Sequence, residues 1–229
     1  MKGQYGQPLE IERLLLESKL WRKKKQGFFI EAGASMGEFI SNTLYFELKH
    51  NWTGLLVEPN PDFLKELKLK NRNAWILPHC LSANPIVELY DFDASGYNGG
   101  LIQPGKTLPS DLGRTNKRNY EKFPQKTIQV QCFPLQAVLS ALGNPLVDYF
   151  SLDIEGAEYS VLSTINWKKI HLSALSVETN HAGEIFNGSK EVIHGLLEQN
   201  GFSHVSSINI DDIFLWKQKF KCKQLNKLT

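Results

Sequence analysis

Short apolar segments alternate with longer amphipathic segments along most of this 229-residue chain, and this alternation limits its fold more than any other feature. The apolar segments, such as residues 28–30 and 146–152, are bounded by glycine or polar residues, as is typical of strands buried on both faces. Segments between them, such as residues 62–71, carry apolar residues at helical spacing. Strands that alternate with helices predict βαβ units, and therefore a mostly parallel sheet with helices on both faces.

The last two predicted strands, residues 202–208 and 212–216, are separated by a very short connection. No crossover helix fits between them, so the sheet should end in an antiparallel hairpin. We therefore expect a single-domain, Rossmann-like α/β fold with seven strands in a mostly parallel sheet.

The composition excludes several classes of protein. Hydrophobic residues make up 41% of the chain and charged residues 22%, the balance of an ordinary soluble domain. A net charge of +2 is too small to indicate nucleic-acid binding. No apolar run approaches the roughly 18–20 residues of a membrane span, and the polar start does not resemble a signal peptide. We expect no nucleic-acid partner and no membrane span, although an anchor lost from an excised piece stays an open alternative.

Cysteine usage bears on the compartment. The three cysteines, Cys80, Cys132 and Cys222, cannot all pair within one chain and show no CxxC spacing. Reduced cysteines and a cytoplasmic location are the simpler interpretation, with a truncated secreted domain as the alternative.

The predicted domain spans residues 27–229, with one distinct region before it and another inside it. Residues 1–26 should form an N-terminal helix, over residues 8–25, that packs on the domain. Residues of about 93–127 form a basic segment rich in glycine and proline with no regular pattern. Long irregular segments inside a compact domain are usually functional loops or disordered. We expect a mobile lid that selects an anionic substrate, with an idle surface insertion as the alternative.

The segment FIEAGASMGE, residues 29–38, runs from a strand through a glycine turn into a predicted helix over residues 36–50. Such a turn points backbone N–H groups at a ligand, so Gly33, Ala34, Ser35 and Gly37 are candidates for cofactor binding. Glu31 can hold an ammonium group or order the loop. The alternative is a plain turn that needs glycine for packing. The dinucleotide pattern GxGxxG is absent, which disfavours a nicotinamide-dependent oxidoreductase.

The segment GLLVEPNP places Glu58 and Pro59 after the next strand. A carboxylate at this position accepts both hydroxyls of a ribose in nucleoside-binding α/β folds. The alternative for Glu58 is an acid favoured by the dipole of the following helix. With the glycine turn before it, ribose binding is the better interpretation.

Polar residues end two later strands. Asp153 and Glu155 follow one strand, and Glu178, Asn180 and His181 follow the next. Ligands bind at this edge in open α/β folds, and these side chains can supply a base or coordinate a hard cation. For His181, a loop histidine without a role is an equal alternative. For Glu155 and Glu158 the alternative is an acid favoured by a helix N-terminus, and for Glu158 this is the better interpretation.

These motifs, together with DIEGAE at residues 153–158 and DDIF at residues 211–214, resemble the FkbM family of S-adenosylmethionine-dependent methyltransferases. The resemblance covers residues 28–216. Three segments are most similar to the branch that contains the animal protein Star: SNTLYFE, NWTGLLVEPNP and NRNAWILPHCLS. The resemblance to the family implies the class I methyltransferase fold, whose sheet ends in an antiparallel strand, and S-adenosylmethionine as cofactor.

The resemblance also implies roles for individual residues. Glu31, Gly33, Gly37 and Glu58 fall on the cofactor motifs, and Asp153 falls between the cofactor and the methyl acceptor. Leu81 and Ser82, at the end of the third strand, should border the adenine.

Members of the family methylate hydroxyl groups, often on sugars or polyketides, so we expect a hydroxylated small-molecule acceptor, with sugars and anionic compounds as candidates. A hydroxyl needs a base such as His181, Asp153 or Glu178, or a Mg²⁺ ion held by Asp153, Glu178 and Asn180. The alternative is a weak or inactive methyltransferase-like scaffold that acts in protein interaction or trafficking.

Overall fold

The structure is a computed structural model that describes residues 3–21, 26–96, 99–103, 126–183 and 186–217. Within these residues the chain forms six helices and eleven strands. The helices are α1 (Gln7–Glu17), α2 (Leu44–His50), α3 (Pro61–Leu69), α4 (Leu135–Ala141), α5 (Glu158–Ser163) and α6 (Lys190–Gln199). The strands are β1 (Phe28–Ala32), β2 (Thr53–Val57), β3 (Ala74–Leu77), β4 (Cys80–Leu81), β5 (Glu88–Asp93), β6 (Leu101–Ile102), β7 (Thr127–Phe133), β8 (Val147–Leu152), β9 (Leu172–Glu178), β10 (Phe202–Ile208) and β11 (Asp211–Trp216).

Seven strands form the main sheet, in the order β10-β11-β9-β8-β1-β2-β3. The pairs from β9 to β3 are parallel, while β11 runs antiparallel to both β9 and β10. The predicted mostly parallel sheet with a terminal antiparallel hairpin is therefore confirmed. None of the described helices combines the length and apolarity needed to cross a bilayer.

The register of the parallel strands brings their carboxyl ends level. Ala32 pairs with Val57 on one side and with Leu152 on the other, and Leu152 pairs with Val177. The residue that follows each of these four therefore lies at the same edge of the sheet.

A second, four-stranded sheet has the order β4-β7-β5-β6. The sequence predicts a strand over residues 74–81 with an interruption at Pro78, and the chain divides there into β3 of the main sheet and β4 of the small one. A proline lacks the backbone donor that a continuous strand needs.

The small sheet also corrects the prediction of reduced cysteines. Cys80 of β4 pairs in register with Cys132 of β7, and the two form a disulfide. The contact joins residues far apart in the chain, so spacing along the sequence could not reveal it. Disulfides are rare in cytosolic proteins, which weighs against the predicted cytoplasmic location.

Apolar side chains pack on both faces of the main sheet. On one face, Ile11 and Leu15 of α1 are fully buried in a cluster with Trp21, Phe46 and Trp52. On the other face, residues of α4, α5 and α6 pack against β8 and β9. Helix α1 is shorter than the predicted 8–25 because Lys19 adopts a left-handed backbone (φ 58°). Residues 22–25 lie outside the described part of the chain.

Asp212 of β11 joins three elements at the hairpin end of the sheet. Its carboxylate is 1% exposed and accepts hydrogen bonds from Ser207 Oγ at 2.5 Å and His194 Nε2 at 2.7 Å. Lys190 Nζ of α6 lies 2.9 Å away, and His204 Nε2 is 3.5 Å away. Burial alone would raise the pKa of Asp212, but the hydrogen bonds from His194, Ser207 and Lys190 outweigh it and lower the pKa to about 2.

We predict that Asp212→Asn lowers the free energy of unfolding by about 1–3 kcal/mol, because it removes charge-assisted hydrogen bonds from a buried site. A depressed pKa stabilises the fold above the ordinary value of 3.8, and this contribution is lost as the pH falls to about 2. Urea unfolding at several pH values checks both points. If the difference in the free energy of unfolding between the wild type and Asp212→Asn does not shrink over this pH range, the role of the Asp212 charge is contradicted.

Candidate active site

A cavity of about 300 Å³ opens at the carboxyl ends of the main-sheet strands. This volume lies in the range of ligand pockets in proteins. Four strands of the main sheet contribute to its lining through the residue at or just after their ends. These residues are Gly33, Glu58, Asp153 and Glu178. The small sheet supplies apolar residues, with Phe92 and Leu101 among them.

Gly33 permits a very close approach of two strand ends. Its backbone is left-handed (φ +85°), and a Cβ placed on it would lie 1.9 Å from the carbonyl oxygen of Asp153. The N–H groups of Gly33 and Ala34 both donate to the Val57 carbonyl at 3.1 Å. The glycine thus holds the ends of β1, β2 and β8 together.

Glu31 orders the loop that follows this turn. Its carboxylate accepts hydrogen bonds from Ser41 Oγ (2.8 Å), the Asn42 N–H (2.7 Å) and Thr43 Oγ1 (2.6 Å). Arg72, itself buried, donates to Thr43 Oγ1 at 3.1 Å. Of the two predicted roles of Glu31, these bonds support loop ordering.

The predicted helix over residues 36–50 begins only at Leu44. Ser35, Gly37 and Ile40 all have positive φ angles, so the chain winds around the Glu31 carboxylate instead of forming helical turns. The prediction was wrong because buried hydrogen bonds to Glu31 outweigh the local apolar spacing.

Glu58 lines the cavity and is almost completely buried. Its two carboxylate oxygens accept the N–H groups of Ser35 and Asn60, each at 2.7 Å. Burial raises the pKa of Glu58 to about 7, although both N–H bonds act in the opposite direction. Each oxygen keeps a second acceptor site, so the side chain can still bind ligand hydroxyls.

Asp153, Glu155 and Glu178 bring three carboxylates together. One oxygen from each lies within 4.8 Å of the others. Burial raises the pKa of Asp153, and burial with the charge of Asp153 raises the pKa of Glu178. His181 Nε2 is 3.8 Å from Glu178 Oε1. Adjacent buried carboxylates require a proton or a cation between them, so the cluster can exchange protons or hold a metal.

The structure gathers most of the predicted site residues around the cavity. Those that line it are Gly33, Ser35, Glu58, Pro59, Leu81, Asp153, Glu178 and His181. Glu31 and Ala34 border a smaller adjoining cavity instead. Gly37 faces Leu67, and Ser82 is fully buried with its N–H donated to Phe133 at 2.9 Å. Asn180 is exposed and lies 3.5 Å from His181 Nε2, outside the carboxylate cluster.

Sequence reasoning missed several lining residues. Asn60 is one of them: its side chain donates to the Ala94 carbonyl at 3.4 Å while its N–H binds Glu58. Glu155, for which the sequence left a helix N-terminus as the alternative, belongs to the carboxylate cluster. Both stand inside the motifs DIEGAE and VEPNP, which were the available signal. The cavity is also lined by Gln4 and Tyr5, which precede α1, and no sequence motif indicated them. The central part of the predicted lid, residues 104–125, lies outside the described chain, so the lid stays a prediction.

The strand order and the cavity at the carboxyl edge define the class I methyltransferase fold, as predicted. The chain belongs to the FkbM methyltransferase family, because the family model described as methyltransferase FkbM domain matches residues 31–204. This confirms the family inferred from the motifs; the relation to the Star branch stays a prediction. A search of curated proteins found no significant match.

Solved structures include distant neighbours. The FkbM methyltransferase of Methylobacillus flagellatus KT has a TM-score of 0.48 and 14% identity, over 87% of this chain and 46% of that one. A human methyltransferase 10 domain containing protein has a TM-score of 0.46 and 12% identity, over 92% and 81%. The N-terminal domain of human METTL16, solved with SAH, has a TM-score of 0.45 and 12% identity, over 90% and 66%. The chain thus spans under half the length of the first of these proteins.

We predict that Gly33→Ala destabilises the protein more than Gly143→Ala. Both glycines have nearly the same left-handed φ, but a Cβ at Gly143 has nothing within 4 Å. The control should lose about 1–2 kcal/mol from backbone strain alone. Gly33→Ala should lose about 1–3 kcal/mol more, because the Asp153 carbonyl must move. Urea unfolding measures both, and equal losses would show that the strand ends are not in close contact.

Proposed function

We propose that this chain is an S-adenosylmethionine-dependent methyltransferase that acts on a hydroxyl group of a small molecule. The observation that carries the proposal is the division of the cavity between two kinds of acidic group. Glu58, at the end of β2, is held by backbone N–H groups, whereas Asp153 and Glu178, at the ends of β8 and β9, face each other as carboxylates. The first suits a ribose, and the second suits an acceptor that must lose a proton.

The residues present fit the adenosine part of this cofactor. Glu58 has acceptor capacity for two hydroxyls, and Leu81 adds an apolar side chain for the base. Gly33 lines the cavity with exposed backbone. We assign Gly33, Ser35, Glu58, Pro59 and Leu81 to cofactor binding.

When bound, S-adenosylmethionine supplies a methyl group whose C–S bond breaks, leaving the electron pair on sulfur, as a C–O bond forms to the acceptor. The acceptor hydroxyl must give up its proton, and we assign this role to Asp153 and Glu178, whose carboxylates line the cavity. His181, 3.8 Å from Glu178, is placed to assist this transfer. The predicted Mg²⁺ ion would be a second way to activate the hydroxyl, because a bound cation lowers the pKa of that group.

We predict that Glu58→Ala weakens binding of S-adenosylhomocysteine by about 1–3 kcal/mol, because hydrogen bonds from the ribose to a charged group are lost. Isothermal titration calorimetry measures the change. Asp148→Asn is the matched control: Asp148 is also buried and accepts a backbone N–H, from Phe28 at 3.0 Å, but at the opposite edge of the sheet. Equal affinities for all three proteins would remove Glu58 from the cofactor site.

We predict that Asp153→Asn reduces methyl transfer about 10²-fold or more, because the amide keeps the shape of the side chain but loses its charge. Affinity for S-adenosylhomocysteine should change far less. Transfer from methyl-labelled S-adenosylmethionine to a panel of sugars and hydroxy acids supplies the assay. Wild-type binding of the cofactor with no transfer to any acceptor would favour the scaffold interpretation, and an active variant would make Asp153 structural.

A further inference from the structure

We propose that Asp153, Glu155 and Glu178 form a binding site for a divalent metal ion at the ends of β8 and β9. One carboxylate oxygen of each residue lies within 4.8 Å of the other two. Three oxygen ligands at this separation can converge on one ion and leave positions for water and a substrate oxygen. All three residues line the cavity, so an ion bound there is accessible to an acceptor.

The buried side chain of Glu178 is the independent sign that a ligand is needed. Glu178 is 3% exposed, and its Oε2 atom has no hydrogen-bond donor within the described residues. Its neighbours in the cluster, Asp153 and Glu155, are themselves acceptors when ionised. A buried carboxylate oxygen without a donor is costly, and a cation removes that cost.

The backbone of the turn after β8 supports this arrangement. Glu155 has a left-handed backbone (φ 60°), which is uncommon for a residue with a side chain. The turn is held by Glu158, whose carboxylate accepts the N–H of Ile154 at 2.8 Å and that of Gly156 at 3.0 Å. Strained residues of this kind concentrate at functional sites.

Negative charge is concentrated around the three ligands. Glu158, another buried acid, follows Asp153 and Glu155 closely along the chain. Asp211, at the start of β11, is also buried and pairs in register with Glu178. Such a field attracts a cation into the cavity.

The chemistry of the ligands selects the ion. Carboxylate oxygens favour Mg²⁺, Mn²⁺ or Ca²⁺ over ions that prefer nitrogen and sulfur. In this set of ligands, Glu155 takes the place of Asn180, which the sequence predicted as a Mg²⁺ ligand. An ion there would lower the pKa of an acceptor hydroxyl, and this role rests on the proposed methyl transfer, whereas binding of the ion does not.

A second group, His194, His204 and Asp212, has similar spacing but is a weaker candidate. Lys190 Nζ already lies 2.9 Å from the Asp212 carboxylate and supplies its positive charge. This group therefore provides the control.

The test is binding of Mn²⁺ to the whole chain without cofactor, followed by electron paramagnetic resonance and by calorimetric competition with Mg²⁺. We expect one Mn²⁺ per chain. Glu178→Gln and Glu155→Gln should each weaken binding about tenfold or more, and Asp212→Asn should leave it unchanged. Circular dichroism melting confirms that each variant is folded.

Absence of Mn²⁺ binding to the wild type would overturn the proposal. So would full binding by both glutamine variants, or loss of binding in Asp212→Asn alone. Binding of S-adenosylhomocysteine, measured on the same samples, separates this result from the proposed function. If the protein binds Mn²⁺ but not S-adenosylhomocysteine, the metal site is supported and the methyltransferase proposal fails. If it binds S-adenosylhomocysteine but not Mn²⁺, the metal site fails and the cofactor site is supported.

Discussion

The contact between the ends of β1 and β8 positions the rest of the site. It exists because residue 33 is glycine, so the carbonyl of Asp153 can lie where a side chain would otherwise stand. The Val57 carbonyl accepts two N–H groups of the same turn, which fixes the end of β2 beside them. Since the strands end level, Glu58, Asp153 and Glu178 open into one cavity.

The buried acids around the site fall into two groups, according to the groups that surround their carboxylates. Glu31, Glu58 and Glu158 each accept at least two N–H or O–H groups, and these bonds hold the loops in place. Asp153 and Glu178 face mainly each other. Hydrogen-bonded carboxylates stabilise a fold, whereas adjacent unshielded carboxylates require a proton or a cation. This difference is the physical reason for placing chemistry at the ends of β8 and β9.

Much of the fold was readable from local pattern. Buried strands bounded by glycine and acids predicted the parallel sheet, and the short connection before Asp212 predicted the hairpin. The same strand ends pointed to Glu58, Asp153 and Glu178, because parallel strands bring their carboxyl ends to one edge. The FkbM motifs named the family that the family model then confirmed.

The features that could not be predicted from the sequence depend on contacts between distant residues or on backbone geometry. The spacing of Phe39 and Ile40 indicated a helix, but both are exposed because the loop follows the Glu31 carboxylate. The small sheet and the Cys80–Cys132 bond join segments separated by 52 residues. The left-handed backbone of Glu155 cannot be read from its neighbours in the chain.

The central claim is that the cavity between β2 and β9 binds S-adenosylmethionine. Titration of the full chain with S-adenosylhomocysteine in a calorimeter, with NAD as the comparison ligand, tests it most directly. We predict binding of one S-adenosylhomocysteine per chain, competition by S-adenosylmethionine, and no heat from NAD. No binding of either methionine-derived ligand, or tighter binding of NAD, would contradict the account.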